Sequence, residues 1–292
     1  FTRNKLNIRV MKKTGPINED FDETFIEVEL TSIQAEYYKQ FLIDNSETLL
    51  NEITENSMPS LNNLLMQLKR DINHPYLIKG VKNKIENEIS QKLGKPITDK
   101  EVLIESIVKS SGKMIFIDKY LPILREKHQK VLILSQMNSI FDIFELYFKL
   151  TGIKFVRIDG FVNEMNRKKS LESFTNDEDT LVLLISSKCC FTKINLDASN
   201  TAIIFDSEMD PQNDIKALMR LIPIGQKFEL NVLRLVTRTS FEIEMIKYGM
   251  KNLKNEFIDV ERKLISSFEI EKIIRGGIID ILENNDEKDK FS

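Results

Sequence analysis

Residues 130–137 (KVLILSQM) contain the apolar run Val131–Leu134, which ends at the polar side chains of Ser135 and Gln136. A short continuous apolar run with polar ends predicts a strand that is buried on both faces of a sheet. The next residues place Ile140, Phe144 and Phe148 at helical spacing. A buried strand followed by an amphipathic helix is the repeating unit of a parallel sheet.

The same alternation extends along the chain. Further strands are predicted at 155–158, 181–186, 201–205 and 231–236, and helices at 163–174, 212–221 and from 240 to about 255. Strands that alternate with helices predict an α/β fold, with a parallel sheet covered by helices on both faces. Ligands of such sheets bind beyond the carboxyl ends of the strands, so function is expected at that edge.

The chain before residue 112 has a different pattern. It is mostly helical in appearance, with one extended stretch at Phe25–Leu30 and a helical apolar stripe within 61–70 that ends at Asn73-His74-Pro75. Residues 80–110 are charged and are interpreted as an insertion, and 258–292 contain a short helix near Glu269–Arg275 and an acidic tail. We therefore divide the chain into 1–111, 112–257 and 258–292.

Composition excludes several classes of protein. The 292 residues are 41% apolar and carry a net charge of −3, so any nucleic-acid contact requires a local basic surface. No apolar run is long enough to span a membrane, and no signal-peptide pattern is present. The two cysteines, Cys189 and Cys190, are adjacent, which argues against a disulfide framework and favours a reducing compartment.

Known catalytic motifs are absent from the sequence. There is no glycine-rich phosphate loop ending in Gly-Lys-Ser or Gly-Lys-Thr, and no Asp-Glu pair at the end of a strand to hold magnesium. With two histidines, the chain also offers no histidine-rich metal site. We therefore expect that the chain cannot hydrolyse ATP by itself, and we predict no metal site.

A series of motifs nevertheless runs through the chain in a specific order: Lys69–Leu77 (KRDINHPYL), Ser111–Met114 (SGKM), Lys130–Met137 (KVLILSQM), Arg157–Gly160 (RIDG), Ile204–Ser207 (IFDS), Asp210–Asp214 (DPQND), Ile224–Gln226 (IGQ) and Arg234–Thr237 (RLVT). Their order and spacing resemble the sucrose-nonfermenting-type chromatin-remodelling ATPases. Two more segments, Ile26–Tyr38 and Glu269–Gly277, are similar to the chromodomain-helicase-DNA-binding family.

The resemblance implies both an architecture and a function. It implies a RecA-like C-terminal helicase lobe at 112–257, a mostly helical brace before it and a C-terminal bridge helix after it. Such a lobe is the second half of an ATP-dependent DNA translocase that shifts nucleosomes in the nucleus. The implied partners are the first helicase lobe, duplex DNA and the histones of a nucleosome, with no membrane. ATP and Mg²⁺ would serve the intact two-lobe protein, and this fragment alone would bind neither.

The resemblance also implies roles for individual residues. Arg220 would stabilise the charge on the transferred phosphoryl group, and it is therefore the expected catalytic residue. The expected nucleotide-binding residues are Arg220, Gly225, Gln226 and Asp206. The expected DNA-binding residues are Gln136, Lys188, Lys193, Asn195 and Arg157. Each also has a simpler explanation, because Asp is common in turns and Arg is common on exposed helix faces.

The sequence departs from the family where the chemistry is expected. The family's second arginine, the arginine finger, is replaced by Pro223, which has no charge. Every glycine of the family's loop after the 181–186 strand is replaced, by Cys190, Phe191 and Lys193. An alternative function is therefore a degenerate pseudo-ATPase lobe that binds DNA or a partner. An unrelated doubly wound ligand-binding domain is a weaker alternative.

Overall fold

The computed structural model describes residues 9–12, 21–45, 58–190, 201–208, 210–221, 230–238 and 240–246. The strands are β1 (Arg9–Lys12), β2 (Phe21–Val28), β3 (Val131–Ser135), β4 (Lys154–Ile158), β5 (Thr180–Ser186), β6 (Thr201–Ile204) and β7 (Leu230–Thr237). The helices are α1 (Ser32–Asp44), α2 (Met58–Asn73), α3 (Val81–Leu93), α4 (Lys100–Lys109), α5 (Gly112–Glu126), α6 (Asn138–Thr151), α7 (Glu164–Asn176) and α8 (Pro211–Leu221). Residues 241–246 are also helical.

The described strands form one sheet in the order β1-β2-β7-β6-β3-β5-β4. β1 pairs antiparallel with β2, and the other six strands are mutually parallel. Val131 and Ile133 of β3 pack into one core with α5 and α6, whereas Leu132 and Leu134 pack into a second core with α7 and α8. Because successive side chains of a strand point to opposite faces, helices cover both faces of the sheet. The predicted α/β fold is confirmed.

The sheet includes strands from both sides of residue 112. β2 pairs with β7 along its whole length, from Phe21 opposite Leu230 to Val28 opposite Thr237. The predicted extended stretch at Phe25–Leu30 is thus the second half of a longer strand that ends at Val28. The residues that precede the predicted lobe therefore contribute part of its sheet.

The segment before the lobe is otherwise helical and packed. The predicted apolar stripe lies on α2, where Leu64, Leu65 and Leu68 are buried in a cluster with Phe25 and Phe241. α2 ends at Asn73, immediately before His74-Pro75, as the sequence indicates.

The predicted charged insertion also packs against the rest of the chain. Residues 80–110 contain α3 and α4, and their apolar side chains form a further cluster that contacts Ile33 and Tyr37 of α1. The predicted bridge helix, the acidic tail and the part of the 240–255 helix after residue 246 lie outside the described residues.

Candidate functional site

The carboxyl ends of four parallel strands lie at one edge of the sheet. Ser135 of β3 is opposite Ser186 of β5, Leu134 is opposite Ile204 of β6, and Ile158 of β4 is opposite Ile185. The residues that follow these ends are Gln136, Asp159, Ser187 and Asp206, so they lie along the same edge. We call this edge the rim.

Asp206 ties two parts of the rim together. Its carboxylate is buried and accepts hydrogen bonds from the backbone N–H of Gln136 at 3.1 Å and from Nδ2 of Asn73 at 3.3 Å. A carboxylate held by two donors fixes the loop after β3 relative to the end of β6. Its predicted nucleotide contact stays a prediction.

The side chain of Gln136 is held by a residue of α2, whereas its backbone N–H is held by Asp206. Nζ of Lys69, on α2, donates a hydrogen bond to Oε1 of Gln136 at 3.1 Å. The amide Nε2 of Gln136 has no hydrogen-bond partner in the described part of the chain. Gln136 therefore keeps an unused amide NH₂ group at the rim, and its predicted DNA contact stays a prediction.

Asn73 connects the rim to a buried ion pair that the sequence did not reveal. Its Oδ1 accepts a hydrogen bond from Nζ of Lys113 at 3.0 Å, and Lys113 pairs with Glu242 at 2.7 Å. Oε2 of Glu242 accepts in turn from the backbone N–H of Thr237 at 2.8 Å. These contacts join α2, the start of α5 and the end of β7, far apart in the sequence. The only sequence signal was the position of Asn73 and Lys113 within two motifs.

A second buried network holds the start of α8. The guanidinium of Arg234 donates to Glu23 at 2.6 Å, to Asp214 at 2.6 Å and to the hydroxyl of Ser207 at 2.8 Å. Asp214 also accepts from the backbone N–H of Glu208 at 3.1 Å. Burial raises the pKa of Asp214 to about 6, although the neighbouring Arg234 opposes this rise. Asp214 thereby fixes α8 relative to the end of β6.

A cleft of about 240 Å³ opens between the loop after β6, the short helix Ser187–Cys189 and α8. Arg220 and Lys188 both line it, although the resemblance implies a nucleotide contact for Arg220 and a DNA contact for Lys188. The described residues that line it are Ser187, Lys188, Glu208, Asn213, Lys216, Ala217 and Arg220. The structure therefore brings the expected catalytic arginine to the same edge as Ser187.

Arg157 is enclosed by acidic side chains. Its guanidinium pairs with Asp142 at 2.6 Å, Glu145 at 2.8 Å and Asp159 at 2.7 Å. Three carboxylates around one cation leave a local negative charge, which disfavours a phosphate ligand. The geometry favours a structural role for Arg157, and its predicted DNA contact stays untested.

The remaining predicted site residues lie outside the described residues: Lys193, Asn195, Gly225 and Gln226, together with Pro223. Both cysteines are buried and free. Within the described ranges no three His, Cys, Asp or Glu side chains gather into a possible metal site. In the same ranges, no helix has both the length and the apolar character needed to cross a bilayer.

Comparison with known proteins gives a matching family model and several similar relatives. Residues 112–225 match the family model described as helicase conserved C-terminal domain. Chromodomain-helicase-DNA-binding protein 8 of Xenopus tropicalis is 37% identical over 283 residues, which cover 92% of this chain and 13% of that protein. Chromodomain-helicase-DNA-binding protein 9 of Homo sapiens is 37% identical over 300 residues, which cover 98% of this chain and 10% of that protein. The chain thus spans only 10 to 13% of the length of these relatives.

Solved structures show the same fold. The C-terminal part of the Fun30 ATPase domain has a TM-score of 0.61 at 24% identity, covering 78% of this chain and 88% of that one. The Sulfolobus solfataricus SWI2/SNF2 ATPase core in complex with dsDNA has a TM-score of 0.64 at 21% identity, covering 87% of this chain and 50% of that one. The family model and these structures together show the fold of a helicase C-terminal lobe.

Within that class, the identity over most of the chain shows homology to the chromodomain-helicase-DNA-binding proteins. The resemblance predicted from the order of the motifs is therefore confirmed.

Proposed function

We propose that this chain is the second motor lobe of an ATP-dependent DNA translocase that remodels nucleosomes. The observation that carries the proposal is the rim, where Gln136, Asp206 and the cleft beside Arg220 share one edge of a parallel sheet. Homology to chromodomain-helicase-DNA-binding proteins supports a chromatin substrate and a nuclear location. The other partners are the first lobe, duplex DNA and histones.

In this proposal the chain supplies half of a catalytic site. ATP and Mg²⁺ bind in the intact protein between the two lobes, because this sequence has neither a phosphate loop nor an Asp-Glu motif at a strand end. Arg220 approaches the transferred phosphoryl group, and Gly225, Gln226 and Asp206 complete the nucleotide contacts. Gln136, Lys188, Lys193 and Asn195 contact the DNA. The isolated chain is expected to be inactive as an ATPase.

The alternative is a pseudo-ATPase lobe that binds DNA or a partner without turnover. The observation that favours it is Pro223, which stands where the resemblance places an arginine finger and carries neither charge nor donor. Retention of Arg220 and Gly225-Gln226 argues against complete loss of the site.

The test is an ATPase assay of the intact two-lobe protein with and without DNA and nucleosomes. If the lobe drives turnover, Arg220→Ala should lower kcat by about a thousandfold or more, as for other transition-state arginines. Arg125→Ala is the matched control, since Arg125 is exposed on α5, which packs on the opposite face of the sheet from α8. DNA binding without any stimulated hydrolysis in the unaltered protein would identify a pseudo-ATPase.

Pro223→Arg tests the cause of any weak turnover. An arginine at this position should raise kcat if the missing charge limits the rate. An unchanged kcat in a folded variant would place the limitation elsewhere, and the lost glycines of residues 189–193 would become the next candidates.

A further inference from the structure

Three cationic side chains line the cleft at the rim. Lys188 lies in the short helix after β5, and Lys216 and Arg220 lie one turn apart on α8. All three are exposed, and none has an ion-pair partner among the residues that the structure describes. Among the described residues of the lining the only acid is Glu208, so these residues together carry a net charge of +2.

This arrangement is unfavourable without a ligand. Like charges separated by one helical turn, such as Lys216 and Arg220, destabilise a helix because they repel each other. Lys188 adds a third positive charge to the lining of the cleft. An anion in the cleft would convert this repulsion into attraction.

The uncharged groups of the lining also suit an anion. Ser187 lines the cleft, and its Oγ has no hydrogen-bond partner in the described part of the chain, so it retains an unused hydroxyl donor. Asn213 adds an amide. Lysine ammonium groups bind phosphate as point charges, and arginine binds it through two parallel N–H groups.

We propose that this cleft is a phosphate-binding site in which Lys216 is a direct ligand beside Lys188 and Arg220. Lys188 and Arg220, for which the resemblance implies a DNA contact and a nucleotide contact respectively, then share one ligand. Lys216 supplies a second cation on α8, in addition to Arg220. Phosphate binding in this cleft does not depend on the proposed motor function. Only the source of the phosphate does, and that source is either a nucleotide or the DNA backbone.

Phosphate binding can be measured directly on the 292-residue chain. Inorganic pyrophosphate is titrated while the backbone NMR signals of residues 187–190 and 213–220 are followed. Lys216→Ala should raise the Kd about tenfold, the effect of losing one charge-assisted hydrogen bond, and Lys216→Arg should retain most of the affinity. Lys119→Ala is the matched control, because Lys119 is an exposed lysine on α5 and therefore on the opposite face of the sheet.

The same titration contains the result that would overturn the proposal. An unchanged Kd in Lys216→Ala, or an equal loss in Lys119→Ala, would show that pyrophosphate responds only to overall charge. Competition experiments then separate the two sources. A short DNA duplex that displaces pyrophosphate would identify the backbone phosphate as the ligand, and displacement by ADP alone would identify a nucleotide.

ATPase measurements on the intact protein distinguish failure of the phosphate site from failure of the proposed motor function. If the intact protein hydrolyses ATP and a nucleotide is the source, Lys216→Ala should lower kcat, and the loss should be smaller in a Pro223→Arg background. If ATP hydrolysis is absent but pyrophosphate still depends on Lys216, the motor function fails and the phosphate site stands. Normal ATPase activity together with an unchanged pyrophosphate Kd in Lys216→Ala would remove the phosphate site alone.

Discussion

Lys113 keeps a positive charge in the interior, with a side chain that is 0% exposed. Glu242 and Asn73 are its hydrogen-bond partners, and its ammonium group lies 5.5 Å from the ring centroid of Phe205. A buried ion pair contributes little net stability, but removal of one partner leaves an isolated charge in a low-dielectric interior. The pair is therefore informative as a probe of how firmly α2, α5 and β7 are joined.

Lys113→Met should lower the free energy of unfolding by about 3–5 kcal/mol, because Glu242 stays buried without its cation. Urea denaturation measures this change, and Lys119→Met provides an exposed control on the same helix. The double variant Lys113→Met/Glu242→Leu should recover part of the loss. A single variant as stable as the unaltered chain would mean that Glu242 is not buried with Lys113 in solution.

His74 makes stability depend on pH. It is buried, Nε2 donates to the carbonyl of Ile107 at 2.9 Å, and Nδ1 accepts from the N–H of Tyr76 at 3.0 Å. Burial lowers the pKa of His74 from its ordinary value of 6.5 to about 4. The unfolded chain therefore binds more protons between these values, and the stabilisation by neutral His74 is lost as the pH falls from 6.5 through 4.

We expect the unaltered chain to lose roughly 3 kcal/mol more than His74→Gln across this pH range. Asp214 acts in the opposite direction, because burial raises its pKa to about 6 and its stabilisation is lost as the pH rises through that value. Since both chains contain Asp214, the difference between them isolates His74. Parallel pH profiles of the unfolding free energy would contradict a buried neutral histidine.

At the scale of elements, the start of α5 requires a glycine. A Cβ on Gly112 would overlap the carbonyl oxygen of Glu29, just after β2, and the N–H of Gly112 donates to Oε1 of Gln34 at 2.9 Å. Backbone atoms of two elements therefore meet at this position. Neither can move without disturbing the sheet or the α1–α5 contact.

Gly112→Ala should lower the free energy of unfolding by about 2 kcal/mol or more, the usual cost of forcing an atom into a packed site. Gly160→Ala is the control, since a Cβ there meets no atom within 4 Å. Thermal unfolding of both variants makes the comparison. Equal stability of the two variants would show that α5 and the end of β2 separate easily.

The same elements show what the sequence could and could not predict. β3 and β5 were predictable because uninterrupted apolar runs mark strands that are buried on both faces. The first half of β2 was not predictable, because Glu23 places a charged side chain at a buried position there. Glu23 is compensated by Arg234, a residue 211 positions away.

The candidate site also has a part that the sequence could predict and a part that it could not. Strand ends predicted the rim, because all parallel strands end at one edge. The networks behind the rim were not predictable, since Asn73, Lys113 and Glu242 gain their roles only when distant segments meet. Lys216 was also overlooked, because its importance comes from its neighbours in the cleft rather than from a motif.

At the scale of the whole molecule, the segment before residue 112 is part of the structural unit of the lobe. β2 covers β7, which would otherwise expose its backbone along an edge of the sheet. Glu23 neutralises the buried Arg234, and Asn73 accepts from the buried Lys113. Leu64, Leu65 and Leu68 complete a core with residues of the helical segment 241–246. Removal of this segment would expose charge and apolar surface together.

We therefore expect a chain truncated to residues 112–292 to lose cooperative unfolding and to aggregate, whereas the 292-residue chain should unfold in a single step. Circular dichroism during thermal unfolding, with light scattering, measures both properties. Removal of residues 282–292, the predicted acidic tail, is the matched control and should leave the midpoint nearly unchanged. If the 112–292 chain unfolded cooperatively at the midpoint of the longer chain, residue 112 would mark a true domain boundary and β2 would be dispensable.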